Sequence, residues 1–115
     1  MSDLAKKKCL PCTVDMPPLK GEELQTFYKQ LSDGWELIEE KRLEKSYKFK
    51  NFKEALAFVN DVGKIAEEEG HHPDIELGWG KVKLIFWTHK IGGLSEPDFV
   101  MAAKSDVCFL SRIAK

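Results

Sequence analysis

Histidine is scarce in this chain. There are three in 115 residues, and all lie in two short stretches, His71-His72 and His89. Cysteine is scarce too, at Cys9, Cys12 and Cys108. An odd count argues for reduced thiols rather than a disulfide framework. Met1 to Lys8 is basic, but no apolar stretch follows it as a secretory leader requires, so the expected compartment is the cytosol. No apolar run approaches the roughly 18 residues of a membrane span. Neither sign of charge dominates: 18 basic residues against 19 acidic leave a net charge of −1, which removes any global pull toward nucleic acid or membrane. Internal repeats and low-complexity tracts are absent as well. What remains is 43% hydrophobic and 32% charged, the balance of one globular domain with a real core.

Residues 1–18 hold Lys6-Lys7-Lys8, Cys9, Cys12 and three prolines, Pro11, Pro17 and Pro18. They read as an extended arm ahead of a domain spanning 19–115. Cys9-x-x-Cys12 has no second pair to complete a four-ligand zinc site and no strand-to-helix setting for redox work. It is read as two thiols in a tail.

The domain opens with a helix from Gly21 to Leu31, its stripe made by Leu24, Phe27, Tyr28 and Leu31, and Asp33-Gly34 ends it. Trp35 to Ile38 starts a strand, and a turn falls near Glu39 to Lys41. Leu43, Lys45, Tyr47 and Phe49 then alternate with polar residues, the period of a strand with one dry face. Asn51, with Glu54 three positions on, caps a helix predicted from Phe52 to about Glu69. Its apolar face is Phe52, Ala55, Leu56, Val59, Val62, Ile65 and Ala66. Gly70 can take the left-handed conformation that closes it.

Ile75, Leu77 and Trp79 alternate as a further strand, and Gly78-Trp79-Gly80 is its turn. Lys81 to Thr88 follows, with Val82, Leu84 and Phe86 on one face. Lys83, Ile85 and Trp87 on the other are apolar enough to suggest a partner subunit or a substrate. After the loop Ile91 to Leu94, Ser95 caps a last helix, with Pro97 in its first turn and Asp98 as capping-box acid. Its predicted stripe is Phe99, Ala102, Ala103, Val107, Leu110 and Ile113. Trp35, Trp79 and Trp87 read as core rather than stacking platforms. The order α-β-β-α-β-β-α predicts an α+β fold: a four-stranded antiparallel sheet with three helices packed on one face.

Sixteen positions separate Pro73 from His89, enough for two strands and a tight turn, so the fold-back brings His89 beside His71-His72. Imidazole is the side chain whose charge changes near neutral pH, so clustered histidines can give and take protons. Proline restrains His72 to extended backbone. Glu67, four residues before His71, is placed to partner it if the helix continues that far. Three histidines can also hold catalytic zinc, but adjacent side chains on an extended segment diverge, which favours proton transfer. A non-catalytic protein-binding module and a metal-dependent hydrolase are the other readings this pattern leaves open.

The spacing Glu67-x3-His71-His72-Pro73-x5-Trp79-x9-His89-x8-Asp98 resembles the signature of the pterin-4a-carbinolamine dehydratases. Gly34-Trp35, Thr88-His89 and Gly93-Leu94-Ser95 are similar to that family too, so the likeness covers about residues 19–113. The Cys9-to-Cys12 arm resembles the start of bacterial and plant-type members. The resemblance implies four antiparallel strands backed by three helices and a homodimer or homotetramer. It implies dehydration of 4a-hydroxytetrahydrobiopterin to quinonoid dihydropterin, the step that recycles tetrahydrobiopterin beside an aromatic amino acid hydroxylase, with molybdopterin metabolism as another setting. It implies no metal and no organic cofactor. His71, His72 and His89 are the catalytic residues it implies. Glu67, Gly70, His71, His72, Pro73, Trp87, Thr88, His89 and Lys90 are the substrate-binding ones. Many members have Asp or Asn where this chain has Gly70, so any contact from that side chain is absent here. Animal members also bind a homeodomain transcription factor, a role nothing in this sequence picks out.

Overall fold

The computed structural model describes residues 18–31, 34–88 and 91–113. The extended arm read at 1–18, apart from Pro18, lies outside them, with Cys9 and Cys12. So do Asp33, His89, Lys90 and the side chain of Ile113.

The elements run α1 (Gly21–Tyr28), β1 (Glu36–Ile38), β2 (Arg42–Lys48), α2 (Phe52–Glu69), β3 (Asp74–Gly78), β4 (Lys81–Phe86) and α3 (Glu96–Ile113). The strands form one antiparallel sheet in the order β1-β2-β4-β3. The fold is α+β, in the predicted order.

Local chemistry explains the boundaries. Asn51 sits in extended backbone, and its side-chain oxygen accepts from the Glu54 amide at 2.9 Å, which satisfies one of the free donors at the start of α2. Gly70 closes that helix in the left-handed region, φ 67°. Helix α1 stops at Tyr28, short of the expected Leu31, because the chain tightens there. The Gln30 and Leu31 amides donate to Phe27 and Tyr28, three residues back.

The core lies between the sheet and the helices. Leu43 and Tyr47 from β2, Val82, Leu84 and Phe86 from β4, Ala55, Phe58, Val62 and Ala66 from α2, and Phe99 to Ala103 from α3 are buried together. The α2 stripe is displaced from the predicted one. Ala55, Phe58, Val62 and Ala66 face inward, while Phe52 and Leu56 are exposed at its edge. On α3 the first two turns are buried almost all round, and Val107 and Leu110 face out further along.

The outer sheet face is more polar than its sequence suggested. Lys83 Nζ pairs with Glu44 at 2.9 Å, and Ile85 lies opposite Glu44 on one side and Asp74 on the other. Trp79 is not core: β3 stops at Gly78, and Trp79 stands 70% exposed in the turn. That turn is tight, since a Cβ on Gly80 would meet the Phe49 carbonyl oxygen at 2.8 Å. Among the described residues, no helix is long and apolar enough to cross a membrane.

Candidate active site

Three chain segments meet at one end of the molecule: the close of α2, the end of β4 and the start of α3. Beyond the left-handed Gly70, the His71 amide still donates to the Ala66 carbonyl at 3.1 Å. That bond holds His71 against the last turn of α2. The extended step that follows turns adjacent side chains to opposite sides. His71 points in and His72 points out.

His71 Nε2 lies 2.6 Å from Asp98 Oδ1, and the two side chains are 13% and 0% exposed. The other oxygen of Asp98 gathers the neighbouring donors. Oδ2 accepts from the Thr88 hydroxyl at 2.7 Å, the Ser95 amide at 2.9 Å and the Ser95 hydroxyl at 3.4 Å. The Thr88 and Ser95 hydroxyls are themselves 2.7 Å apart. A buried carboxylate must have its lone pairs met, and these donors meet them. An ionised Asp98 has only acceptors to offer, so His71 Nε2 carries the hydrogen of this bond. His71 Nδ1 is then the ring nitrogen not engaged with Asp98.

His72 Nε2 pairs with Glu67 Oε2 at 2.5 Å, but the side chains are 59% and 78% exposed. Glu67 therefore partners the outward histidine, not His71 as its spacing suggested. The reason is the Gly70 turn, which breaks the helical register between Glu67 and His71. Pro73 is half-buried, Gly70 is exposed, and a Cβ on Gly70 would meet nothing within 4 Å. Trp87 is half-buried, and its indole N–H donates to Asp74 at 3.3 Å. Thr88 is buried on Asp98. His89 and Lys90 follow it outside the described residues. Thr88 and Gly93, which flank them, are paired: the Thr88 amide donates to the Gly93 carbonyl at 2.8 Å and the Gly93 amide returns at 3.4 Å.

Asp98 is the residue whose importance sequence reasoning understated. Read as a helix cap, it is one, through Oδ2. Only the fold reveals that its second oxygen is delivered to His71. A second buried carboxylate, Asp106 on the same helix, went unnoticed. It accepts from Trp35 Nε1 at 2.9 Å, Lys45 Nζ at 2.8 Å and the Tyr47 hydroxyl at 2.6 Å. Burial, then the Asp106 charge and hydrogen bond, push the Tyr47 phenol far above its ordinary range. It stays a neutral donor. No group of three His, Cys, Asp or Glu among the described residues is spaced to hold a metal ion.

A small α+β domain with an imidazole set against a buried carboxylate is equipped to move protons. Comparison with known proteins gives this class its family. Residues 17–108 match the family model described as pterin 4 alpha carbinolamine dehydratase. A relative from Rubrobacter xylanophilus is 57% identical over 106 residues, 92% of this chain and 98% of its own. One from Alkaliphilus metalliredigens is 55% identical over 106 residues, 92% of this chain and 96% of its own. Both are provisionally named pterin-4-alpha-carbinolamine dehydratase. A solved structure from Brucella melitensis, described as a transcriptional coactivator/pterin dehydratase, is 29% identical with a TM-score of 0.74, and the match spans 79% of this chain and 97% of that one. The chain belongs to the pterin 4 alpha carbinolamine dehydratase family, whose members are hydro-lyases.

Proposed function

We propose that this protein dehydrates 4a-hydroxytetrahydrobiopterin to quinonoid dihydropterin by histidine general acid/base catalysis, and so supports tetrahydrobiopterin recycling. The observation that supports the reading is the His71–Asp98 couple, a ring nitrogen 2.6 Å from a buried carboxylate. Family membership supplies the substrate class.

The chemistry asks little of the protein. The pterin N5 lone pair can expel the 4a-hydroxyl, but hydroxide is a poor leaving group. A protonated imidazole, His71 through Nδ1 or His89, gives the departing oxygen its proton, and water leaves. A neutral imidazole or a water then takes the N5 proton. Asp98 holds the His71 ring in one orientation through the Nε2–Oδ1 contact. His72, paired with Glu67 at the surface, orients the pterin or bonds its polar edge. Gly70, Pro73, Trp87, His89 and Lys90 complete the proposed binding surface. Thr88 contributes through Asp98.

The test is a direct assay on synthetic 4a-hydroxytetrahydropterin, following quinonoid dihydropterin by absorbance. Replacing His71 and His89 together by Ala should remove the catalysed rate, a loss of about 10²-fold or more. Full turnover in that variant would end the assignment.

A second reading is a dimeric protein-binding module on the same scaffold, favoured by the coactivator description of the Brucella melitensis neighbour. Homodimer or homotetramer formation belongs to either reading, and exposed Phe52, Leu56, Val107 and Leu110 are apolar surface an assembly can cover. Adding the protein to an aromatic amino acid hydroxylase assay separates the two: the binding module predicts no gain in pterin turnover.

A further inference from the structure

The segment that leads into α1 touches the candidate site, although it belongs to no helix or strand. The Leu19 amide donates to the Leu94 carbonyl at 2.8 Å. Leu19 also packs against the core, and Leu94 is fully buried. One residue earlier, the Pro18 ring lies on Gly93 so closely that a Cβ there would fall 2.7 Å from Pro18 Cβ. Non-bonded contacts of a real Cβ essentially never come that close, and the opposing atom is part of a ring rather than a flexible tip. Gly93 is therefore glycine for close approach. Its φ is not in the left-handed region, unlike that of its neighbour Gly92.

What Pro18 presses on is half of a bridge. Gly93 and Thr88 exchange both backbone hydrogen bonds, and Thr88 carries the hydroxyl that donates to Asp98. A continuous line of contacts thus runs from Pro18 through Gly93, Thr88 and Asp98 to His71. Downstream, the strap is fixed by α1, whose Phe27 stacks on Phe99 of α3 with ring centroids 5.5 Å apart. Both ends of the line are therefore referred to the same helix, α3.

We propose that Pro18 and Leu19 are positioning residues: a strap that clamps the Thr88–Gly93 bridge against the start of α3 and thereby holds Asp98 on the His71 ring. The role in turnover rests on His71 being the proton-transfer group. The clamp itself does not.

The test is a double-mutant cycle of Gly93→Ala and Pro18→Gly, with two readouts. One is kcat and KM for 4a-hydroxytetrahydropterin. The other is the long-range 1H–15N correlation of the His71 ring, assigned by its loss in His71→Gln. A misplaced catalytic group loses rate steeply with small displacements, so Gly93→Ala should lower kcat about tenfold with KM little changed. It should also shift the His71 ring signals. In the Pro18→Gly background, where no ring opposes the new methyl, the same substitution should cost almost nothing in either readout. Pro18→Gly alone, which introduces no clash and keeps the core intact, should lower kcat by about threefold and move the ring signals. A Gly93→Ala protein whose ring signals match the wild type, or whose losses are the same with and without Pro18, overturns the clamp. So does an unaltered His71 spectrum in Pro18→Gly, should Gly93→Ala fail to fold. If the ring signals respond but His71→Ala turns over normally, the clamp stands and the catalytic assignment of His71 falls.

Discussion

Asp98 serves His71 with one carboxylate oxygen and the start of its own helix with the other. The two tasks use one rotamer. The Ser95 amide and the Thr88 hydroxyl fix Oδ2, and that leaves Oδ1 facing His71 Nε2 at 2.6 Å. Helix capping and ring orientation are therefore separable by a substitution that preserves shape and changes only hydrogen-bonding character.

Asp98→Asn is that substitution. An amide can still accept at one atom, so the cap is partly kept, and the stability loss should be about 1 kcal/mol. It no longer offers two acceptors or a negative charge, so the ring loses either its tautomer or its orienting partner. Turnover of 4a-hydroxytetrahydropterin should fall about a hundredfold, the scale of a general acid/base contribution. Steady-state kinetics beside a thermal melt would reveal the split; equal kcat in the two proteins would detach Asp98 from catalysis.

Glu67 should behave in the opposite way. Its pairing with His72 is solvent-exposed on both sides, and exposed ion pairs contribute on the order of 0–1 kcal/mol. Glu67→Gln should leave the melting temperature almost unmoved. If Glu67 orients His72 toward the pterin, the change appears in KM alone. A melt and a KM determination on one preparation are sufficient.

The contrast between these two carboxylates marks where the sequence was informative. Period-two alternation in Leu43 to Phe49, the Asn51 cap and the Gly70 stop were local signals, and the strands and α2 formed where those signals pointed. Glu67 misled because a four-residue spacing implies contact only while the helix continues, and the left-handed Gly70 intervenes. Asp98 was visible as a cap but not as the partner of His71, since it lies 27 positions further on, beyond two strands. Asp106 had no local signal at all. Its partners Trp35, Lys45 and Tyr47 lie 71, 61 and 59 residues away, and only packing brings them together.

Asp106 consequently makes a sharp stability prediction. Asp106→Ala would leave a part-buried ammonium, a buried phenol and a buried indole N–H without their acceptor. Removing one partner of a buried charged pair costs about 3–5 kcal/mol. Urea denaturation should register a loss of that size. A loss below about 1 kcal/mol, the scale of an ordinary surface change, would mean that water replaces the carboxylate without penalty.

The turn between β1 and β2 offers a gain instead. Glu39 and Glu40 have φ of 52° and 59°, with the Lys41 amide closing on the Ile38 carbonyl at 2.9 Å. Two successive left-handed residues define a turn that favours Asn-Gly, and side chains bearing a Cβ are strained there. Glu39→Asn with Glu40→Gly should stabilise the fold by about 1 kcal/mol, raising the melting temperature by several degrees. Both side chains are exposed, so a decrease would assign the glutamates a contact of their own.

Cys108 yields a prediction in pH. Burial, reinforced by the Asp61 carboxylate, raises its thiol to about 11 from an ordinary value near 9. The thiolate is the nucleophile, so alkylation by iodoacetamide at pH 8 should be much slower in the folded protein than in urea. In the folded protein the rate should keep climbing toward pH 11, whereas in urea it should level off about two units lower. The same shift carries a sign for stability. A folded-state value above the unfolded one means the protonated thiol favours the native state; that contribution is complete below about pH 9 and is lost as pH rises toward about 11. Peptide-resolved mass spectrometry isolates Cys108 from Cys9 and Cys12. A folded-state rate that levels off near pH 9 would show a thiol open to water, and with it a looser seat for the second half of α3.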